Sequence, residues 1–302
     1  TPAAYGEDSD LAKMLGQLTP YFEHKLFLTA TPHNGHTRSF TGLLERLDPV
    51  RFSQTDEIKS GERAQIEQVV IRRLKSEINA RSNPKRFCER IPAEIPLRLS
   101  AGERQLSEAF QEFRAKVRSL IASRKRTEQL AGAFAVEILG KRLLSSPVAF
   151  ADSWHRYRQG LAEAEAAEAA EVHAAERAVR EDTGDDREAE GRANHAAKTV
   201  GAWLKPLAQR LAQECQAIDR ALEALNLGQA DVTPENRRPS HDVRFEALCK
   251  LIDERIRLGN AWRDDERLIV FTEYKTSLDY LKARLRVRYP EAGRIRVLYG
   301  SM

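Results

Sequence analysis

A short apolar segment that ends in two threonines and a proline does most to constrain the fold of this chain. Residues 26–28 (Leu-Phe-Leu) have polar neighbours on both sides, a pattern typical of a buried strand in a parallel sheet. Thr29 and Thr31 follow at the end of this strand, and Pro32 prevents the strand from continuing. Ligands of open α/β sheets bind beyond the carboxyl ends of strands. The two hydroxyl groups are therefore candidate binding groups, although the same residues also fit an ordinary strand and proline turn.

Helices are predicted on both sides of this strand, and further strands are predicted elsewhere. Apolar spacing indicates helices at 11–18, 38–47, 241–258 and 276–285, and short apolar runs indicate strands at 69–71, 268–271 and 295–299. Arg72 and Arg73 follow the first of these strands, where a solvated basic turn and a pair of cleft residues are both consistent with the sequence. The alternation of helices and strands predicts an α/β fold with a wound parallel sheet.

The middle of the chain, residues 103–225, is predicted to be almost entirely helical. Ser100 and Glu103 have the spacing of a capping box that starts the first helix. The Ser-Ser-Pro sequence at 145–147 ends a helix, and Pro206 should kink or restart another. Residues 161–182 are rich in Ala and Glu, and a polar turn at 183–186 leads into a second helix. We therefore expect an antiparallel hairpin that projects from the body as an arm of roughly 30–45 Å.

The composition is compatible with a nucleic-acid partner but does not establish one. The 302 residues carry 49 Lys and Arg against 45 Asp and Glu, and the position of basic patches matters more than this small excess. The 3 cysteines are scattered and predict neither a disulfide framework nor a zinc site. The histidines lack the spacing of metal ligands, so we predict no metal site. No apolar stretch is long enough to cross a membrane, and we expect no membrane partner.

Several segments resemble motifs of the Snf-type superfamily-two DNA translocases, in particular their bacterial RapA-like branch. The Leu-Thr-Ala-Thr-Pro-His-Asn-Gly sequence at 28–35 resembles motif III, and Ile-Val-Phe-Thr-Glu-Tyr at 269–274 resembles motif IV. The apolar run with paired arginines at 69–73 and the Lys-Arg-Leu-Leu-Ser-Ser-Pro sequence at 141–147 resemble two further segments of this family. All four occur in the family's order. A finer likeness is to the Snf-like helicase of bacterial DISARM anti-phage systems.

This resemblance implies a fold with three parts and an activity that depends on ATP. Residues 1–99 would end a first RecA-like lobe, 100–240 would form a helical insertion with its arm, and 241–302 would start a second RecA-like lobe. The parent protein would be an ATP-dependent DNA helicase or translocase of the bacterial cytoplasm. It would use ATP and Mg²⁺ and bind double-stranded DNA, and the arm would contact either DNA or a protein partner.

The resemblance also assigns three groups of candidate site residues. The group that couples nucleotide state to DNA binding, in motif III, comprises Thr29, Ala30, Thr31 and Pro32. The group at the nucleotide cleft comprises Arg72 and Arg73. The DNA-binding group, in the motif IV region, comprises Phe271, Thr272 and Tyr274.

Two catalytic motifs of the family do not occur in the sequence. No Gly-x-x-x-x-Gly-Lys-Ser/Thr loop is present, and none of the Asp-Glu pairs is followed by Ala-His. Phosphoryl transfer needs a phosphate-binding loop, Mg²⁺ and charge-stabilising groups together. We therefore expect these residues to be the central part of a motor, inactive in ATP hydrolysis on their own. The alternative is a non-enzymatic helical scaffold built on a degenerate motor remnant.

Overall fold

The computed structural model describes residues 10–33, 35–163, 165–181, 183–291 and 293–300. The chain divides into two compact units, Thr1–Ala93 and Glu94–Met302. The division lies close to the boundary predicted at residue 99. Residues 241–302, predicted to begin a separate lobe, belong to the same unit as the helices that precede them.

The first unit consists of short helices joined by extended segments. Its helices are α1 (Asp10–Leu18), α2 (Thr37–Leu47), α3 (Glu62–Val69) and α4 (Lys75–Ala80), with a 3₁₀ turn at Thr19–Tyr21. The α-helix α1 ends just before Pro20, as predicted. The Nζ atom of Lys25 donates a hydrogen bond to the carbonyl oxygen of Arg46 at 3.2 Å, which ties the extended segment after α1 to the end of α2.

The second unit is built mainly from helices. These are α5 (Ala101–Ile121), α6 (Arg126–Ser145), α7 (Pro147–Glu163), α8 (Ala169–Arg180), α9 (Asp186–Leu204), α10 (Ala212–Ala224), α11 (Val243–Leu251) and α12 (Lys275–Arg288). Short 3₁₀ segments lie at Lys205–Leu211 and Pro234–Asn236, and a π-helical turn at Ile252–Ile256 follows α11. The prediction of a helical middle is confirmed.

Three local predictions within these helices are also confirmed. Glu103 accepts hydrogen bonds from the backbone nitrogen and the hydroxyl of Ser100, which completes the capping box at the start of α5. The helix α6 ends at Ser145 and α7 begins at Pro147, so Ser-Ser-Pro separates two helices. The α-helical hydrogen bonding stops before Pro206 and resumes after a 3₁₀ segment, because proline cannot donate a backbone hydrogen bond.

Aromatic side chains from α5 and α7 form the centre of the helical core. The ring of Phe113 packs edge-on against Trp154 at 5.3 Å between centroids and against Tyr157 at 5.7 Å, and all three side chains are fully buried. The indole nitrogen of Trp154 donates to the carboxylate of Asp219 on α10 at 2.7 Å. The buried indole is therefore fully satisfied, and it links α7 to α10.

The helices α7 and α9 approach each other unusually closely through two glycines. A Cβ atom at Gly160 would lie 2.0 Å from the carbonyl oxygen of Lys198, and a Cβ atom at Gly201 would lie 2.0 Å from that of Tyr157. No side chain larger than hydrogen fits at either position while the two backbones keep this separation. The two glycines thus determine the distance between the helices.

The predicted parallel sheet is not formed by the described part of the chain. The strands of the described ranges are β1 (Arg257–Leu258) and β2 (Ala261–Trp262), which form an antiparallel pair. Residues 26–28, 268–271 and 295–299 lie outside helices and strands, and Val69 belongs to α3. The physical reason is that the described ranges supply no neighbouring strands: the side chains of Leu28 and Phe271 are 87% and 89% exposed.

The predicted hairpin of two helices is present, but it lies against the body instead of projecting from it. The helix α8 packs on α6 as well as on α9, and Val172 in α8 is fully buried. The Nε2 atom of His173 is 3.0 Å from the carbonyl oxygen of Thr127 at the start of α6. The apolar residues of α8 and α9 are few, and burying them against α6 and α7 gives the hairpin a stability that a free arm would lack.

Within the described ranges, no helix combines the length and the apolar character needed to span a bilayer.

Candidate functional site

Two of the residues predicted to bind DNA line a cleft in the second unit. Phe271 and Thr272 face a cavity of about 460 Å³, together with residues from α6, α11 and α12. Lys141 contributes from α6 and Arg244 from α11. Both basic residues were missed by the sequence analysis. The Lys-Arg pair before Ser-Ser-Pro is the one sequence signal that could have indicated Lys141.

The third predicted residue, Tyr274, lies next to a buried arginine. The guanidinium carbon of Arg142 is 4.0 Å from the centroid of the Tyr274 ring, and the Arg142 side chain is fully buried. Burial raises the pKa of Tyr274 to about 12, and the charge of Glu273 adds to the effect while Arg142 opposes it. The phenol is therefore neutral at physiological pH.

Glu190 on α9 connects this arginine to the start of α12. Its carboxylate lies 2.6 Å from Nη1 of Arg142, and it accepts hydrogen bonds from the backbone nitrogen of Thr276 at 3.2 Å and from the hydroxyl of Thr276 at 2.8 Å. The first backbone N–H groups of a helix have no partner inside the helix. Glu190 therefore caps α12 from a different helix.

The ion pair between Arg142 and Glu190 is close in distance but lacks hydrogen-bond geometry. Within the described residues, none of the three guanidinium nitrogens of Arg142 has a hydrogen-bond partner. The cation is thus stabilised by one carboxylate and by the face of the Tyr274 ring. If either Glu190 or Tyr274 were removed, only the other would remain to stabilise the buried charge of Arg142.

The Ser-Ser-Pro sequence has a second role besides separating α6 from α7. The hydroxyl oxygens of Ser145 and Ser146 lie 2.7 Å and 3.0 Å from the hydroxyl of Ser277 in the first turn of α12. Ser146 also accepts from the backbone nitrogen of Ala149, which caps α7. These serines hold α12 against the junction of α6 and α7, next to the cleft.

A buried phenol and carboxylate form another wall of the cleft. The hydroxyl of Tyr280 donates to the carboxylate of Asp242 at 2.7 Å, and the other oxygen of Asp242 accepts from the backbone nitrogen of Phe245 at the start of α11. Burial and the Asp242 carboxylate raise the pKa of Tyr280. The guanidinium carbon of Arg284 lies 4.3 Å from the centre of the Phe245 ring. This arrangement fixes α11 and α12 relative to each other.

The chemistry of the cleft suits binding better than covalent catalysis. Arg244 can donate hydrogen bonds to phosphate oxygens, whereas Lys141 already lies 3.0 Å from Glu137, and Asp242 and Glu273 also line the cavity. The described lining contains no histidine or cysteine. Burial raises the pKa of the Cys215 thiol, which lies elsewhere in the core, to about 11, so this thiol is not a nucleophile at neutral pH.

The motif III candidates lie in the segment between α1 and α2 in the first unit. The hydroxyl oxygen of Thr29 accepts a hydrogen bond from the backbone nitrogen of Thr31 at 3.2 Å. Thr29, Ala30 and Thr31 are exposed, and Pro32 is half-buried. The side chains of these three exposed residues are accessible to solvent.

Arg72 and Arg73 lie in the segment between α3 and α4. Both are exposed, and neither forms an ion pair with any residue that the structure describes. The two arginines belong to the first unit with the motif III residues, whereas the three DNA-binding candidates belong to the second unit.

Two features of a magnesium and ATP site bear on these residues: clustered metal ligands in the described ranges and a phosphate-binding loop in the sequence. In the ranges that the structure covers, no group of three or more His, Cys, Asp or Glu residues could hold a metal ion. The sequence contains no phosphate-binding loop. No step of ATP hydrolysis can therefore be derived from these side chains.

Comparisons of this chain with protein-family models, with curated proteins and with solved structures found no match in any of the three searches. The candidate site is consequently defined by its own residues. These are the two basic side chains at the cleft, the Arg142–Tyr274 contact and the carboxylate of Glu190.

Proposed function

We propose that this chain is the central part of an ATP-dependent double-stranded-DNA translocase of the Snf type, from the RapA-like branch. One observation carries the proposal. The segment that resembles motif IV supplies Phe271 and Thr272 to a cleft that also contains Lys141 and Arg244. Asp242 and Glu273 line the same cleft and Glu137 lies 3.0 Å from Lys141, so Arg244 is the cation of the cleft that is available to contact a DNA phosphate.

The exposed apolar segments support the finer proposal of two RecA-like lobes. Leu26 and Leu28 in the first unit, and Ile269 and Phe271 in the second, are exposed large apolar side chains outside helices and strands. Such segments normally pair with neighbouring strands, since unpaired strand edges and exposed apolar side chains favour association. In the proposal, residues 26–28 and 268–271 are inner strands of the two lobes.

In the proposed motor, ATP and Mg²⁺ bind to motifs that are not among these 302 residues. Residues 29–32 couple the nucleotide state to DNA binding, and Arg72 and Arg73 contribute to the nucleotide cleft. Binding to DNA is mainly to phosphates, so the affinity falls steeply as the salt concentration rises.

The test is DNA-stimulated ATP hydrolysis by the product of the complete reading frame that encodes these residues. Thr31→Ala should lower the DNA-stimulated rate by about tenfold, and Thr31→Ser, which retains the hydroxyl, should retain most of the rate. If duplex DNA does not stimulate ATP hydrolysis by the wild-type protein, the proposal is wrong. An unchanged rate in Thr31→Ala would reject only the coupling role.

A second candidate function is a non-enzymatic scaffold, and one observation favours it. The helical part of the second unit has a continuous buried core that includes Phe113, Trp154 and Tyr157 and does not depend on a completed sheet. A scaffold would bind its partner with no need for nucleotide. ATP hydrolysis by the complete gene product would exclude this alternative.

A further inference from the structure

A second groove lies on the helical unit, between α5 and α6. Its volume is about 580 Å³, and its lining extends from Glu103 to Arg118 along α5. That stretch of helix is roughly 22 Å long. The groove adjoins the cleft of the candidate site, since Lys141, Leu144 and Arg244 line both.

Among the charged side chains that line this groove, several arginines have no ionic partner in the described ranges and can contact a ligand. Arg114, Arg118 and Arg244 form no ion pair or hydrogen bond through their side chains with any described residue. Of the two carboxylates, Glu103 is buried and bonded to Ser100 and to the backbone nitrogen of Val243, and Glu137 lies 3.0 Å from Lys141. An incoming anionic group would therefore meet three arginines whose charges are not neutralised.

The rest of the lining is mostly apolar. It includes Leu99, Phe110, Val136, Leu143 and Leu144. Leu144 is 76% exposed, although it lies in the last turn of a well-packed helix. An exposed leucine beside a groove can contact another apolar side chain, whereas the polar backbone of a nucleic acid would form no apolar contact with it.

We propose that this groove binds an acidic amphipathic helix of a protein partner. Leucine-like side chains on one face of that helix would contact Leu144 and the apolar lining, and carboxylates on its flanks would pair with Arg114, Arg118 and Arg244. The length of the groove matches a helix of about 15 residues. The inference does not depend on the translocase proposal, because it concerns the helical unit and requires no nucleotide.

The test uses the 302-residue chain and a fluorescein-labelled helical peptide of about 15 residues, with leucines on one face and glutamates beside them. Fluorescence anisotropy measures its binding. Arg114→Glu combined with Arg118→Glu should weaken binding by about tenfold, because two favourable charge contacts become repulsive. Leu144→Ser should weaken it by about threefold through lost apolar contact. Thermal melts followed by circular dichroism confirm that each variant is folded.

A matched control reverses two exposed arginines that do not line the groove. Arg187→Glu combined with Arg220→Glu changes the net charge by the same amount and should leave peptide affinity within about twofold of wild type. A wild-type chain that does not bind the peptide at about 100 μM would overturn the proposal. Equal losses in the groove variant and the control would also overturn it, since binding would then reflect overall charge.

A duplex of about 20 base pairs serves as the competing ligand. If the duplex binds in place of the peptide, and the groove arginines but not Leu144 are needed for its binding, the surface is a nucleic-acid site and the proposal is wrong.

Discussion

The guanidinium of Arg142 stacks on the ring of Tyr274 at 4.0 Å, and this contact joins the end of α6 to the residue that precedes α12. The two residues are far apart in sequence. Arg142 lies just before the predicted helix stop at Ser-Ser-Pro, and Tyr274 lies in the segment predicted to bind DNA. The contact has Glu190 as its third member, at 2.6 Å from Nη1 of the arginine. The helical unit and the motif IV region are therefore one packed structure.

Replacing Arg142 with methionine should lower the free energy of unfolding by about 2–3 kcal/mol. This is less than the full cost of breaking a buried ion pair, because the Glu190 side chain retains 13% exposure. Urea denaturation followed by circular dichroism measures the change. The double variant Arg142→Met with Glu190→Gln should recover part of the loss, because the carboxylate charge is removed as well. If the two single changes simply add in the double variant, the ion pair does not stabilise the fold.

Replacing Gly160 or Gly201 with alanine should prevent the close approach of α7 and α9. Each new methyl group would lie 2.0 Å from a backbone oxygen of the other helix, so we expect a loss of about 3 kcal/mol or more in unfolding free energy. Gly191 in α9 is the control, since a Cβ atom there meets nothing within 4 Å. Gly191→Ala should instead stabilise the protein by about 0.5–1 kcal/mol through helix propensity. Stabilisation of the protein by Gly160→Ala would contradict the observed helix packing.

Removing the hydroxyl of Tyr280 should destabilise the protein by about 2 kcal/mol, the usual value for a hydrogen bond to a charged group. The change Tyr280→Phe leaves one oxygen of the buried Asp242 carboxylate without its phenol donor. Tyr21→Phe is the matched control, because Tyr21 is 86% exposed, and it should change stability by less than about 0.5 kcal/mol. Chemical denaturation of both variants tests the prediction. Equal effects of the two changes would show that the Tyr280–Asp242 bond contributes nothing specific.

The stability of the helical unit should decrease in mild acid through His155. Burial lowers the pKa of His155 below its usual value of 6.5, against the opposing effect of its hydrogen bond to the Leu227 carbonyl oxygen at 2.9 Å. In the unfolded chain the His155 side chain therefore binds a proton near pH 6.5, whereas in the folded chain it binds a proton only at a lower pH. Because the unfolded state then holds more protons, the free energy of unfolding falls as the pH drops through this value.

Thermal melts of wild type and His155→Gln at pH 7.5 and about pH 5.5 measure this effect. The decrease in Tm between the two pH values should be smaller in the variant. An identical decrease would show that His155 does not contribute to the pH dependence.

The helices α1, α2 and α12 were predicted from the sequence to within a few residues. The helices α3 and α4, the end of α11, the packing of the hairpin and the missing sheet were not. Helix starts and stops depend on local chemistry, such as the Ser100–Glu103 capping box and the break before Pro147. Whether residues 26–28 or 268–271 become strands depends on partners far away in sequence, and apolar composition alone does not supply a partner.

Some residues of the candidate site could likewise be predicted from the sequence, and others could not. Phe271 and Thr272 were predicted as site residues from a local resemblance, and both line the cleft. The two basic residues of the cleft, Lys141 and Arg244, come from helices about a hundred residues apart in sequence, and no local pattern connects them. The role of Glu190 could not be predicted from the sequence either, because a glutamate in a charged helix is normally solvated.

The capping of α12 by Glu190 has a consequence for the order in which the chain folds. The start of α12 obtains a hydrogen-bond acceptor from a side chain 86 residues earlier in the sequence. During synthesis, α9 leaves the ribosome well before α12 does, and helix nucleation is the unfavourable step of helix formation. We therefore expect the earlier helices to act as a template on which the last helix nucleates.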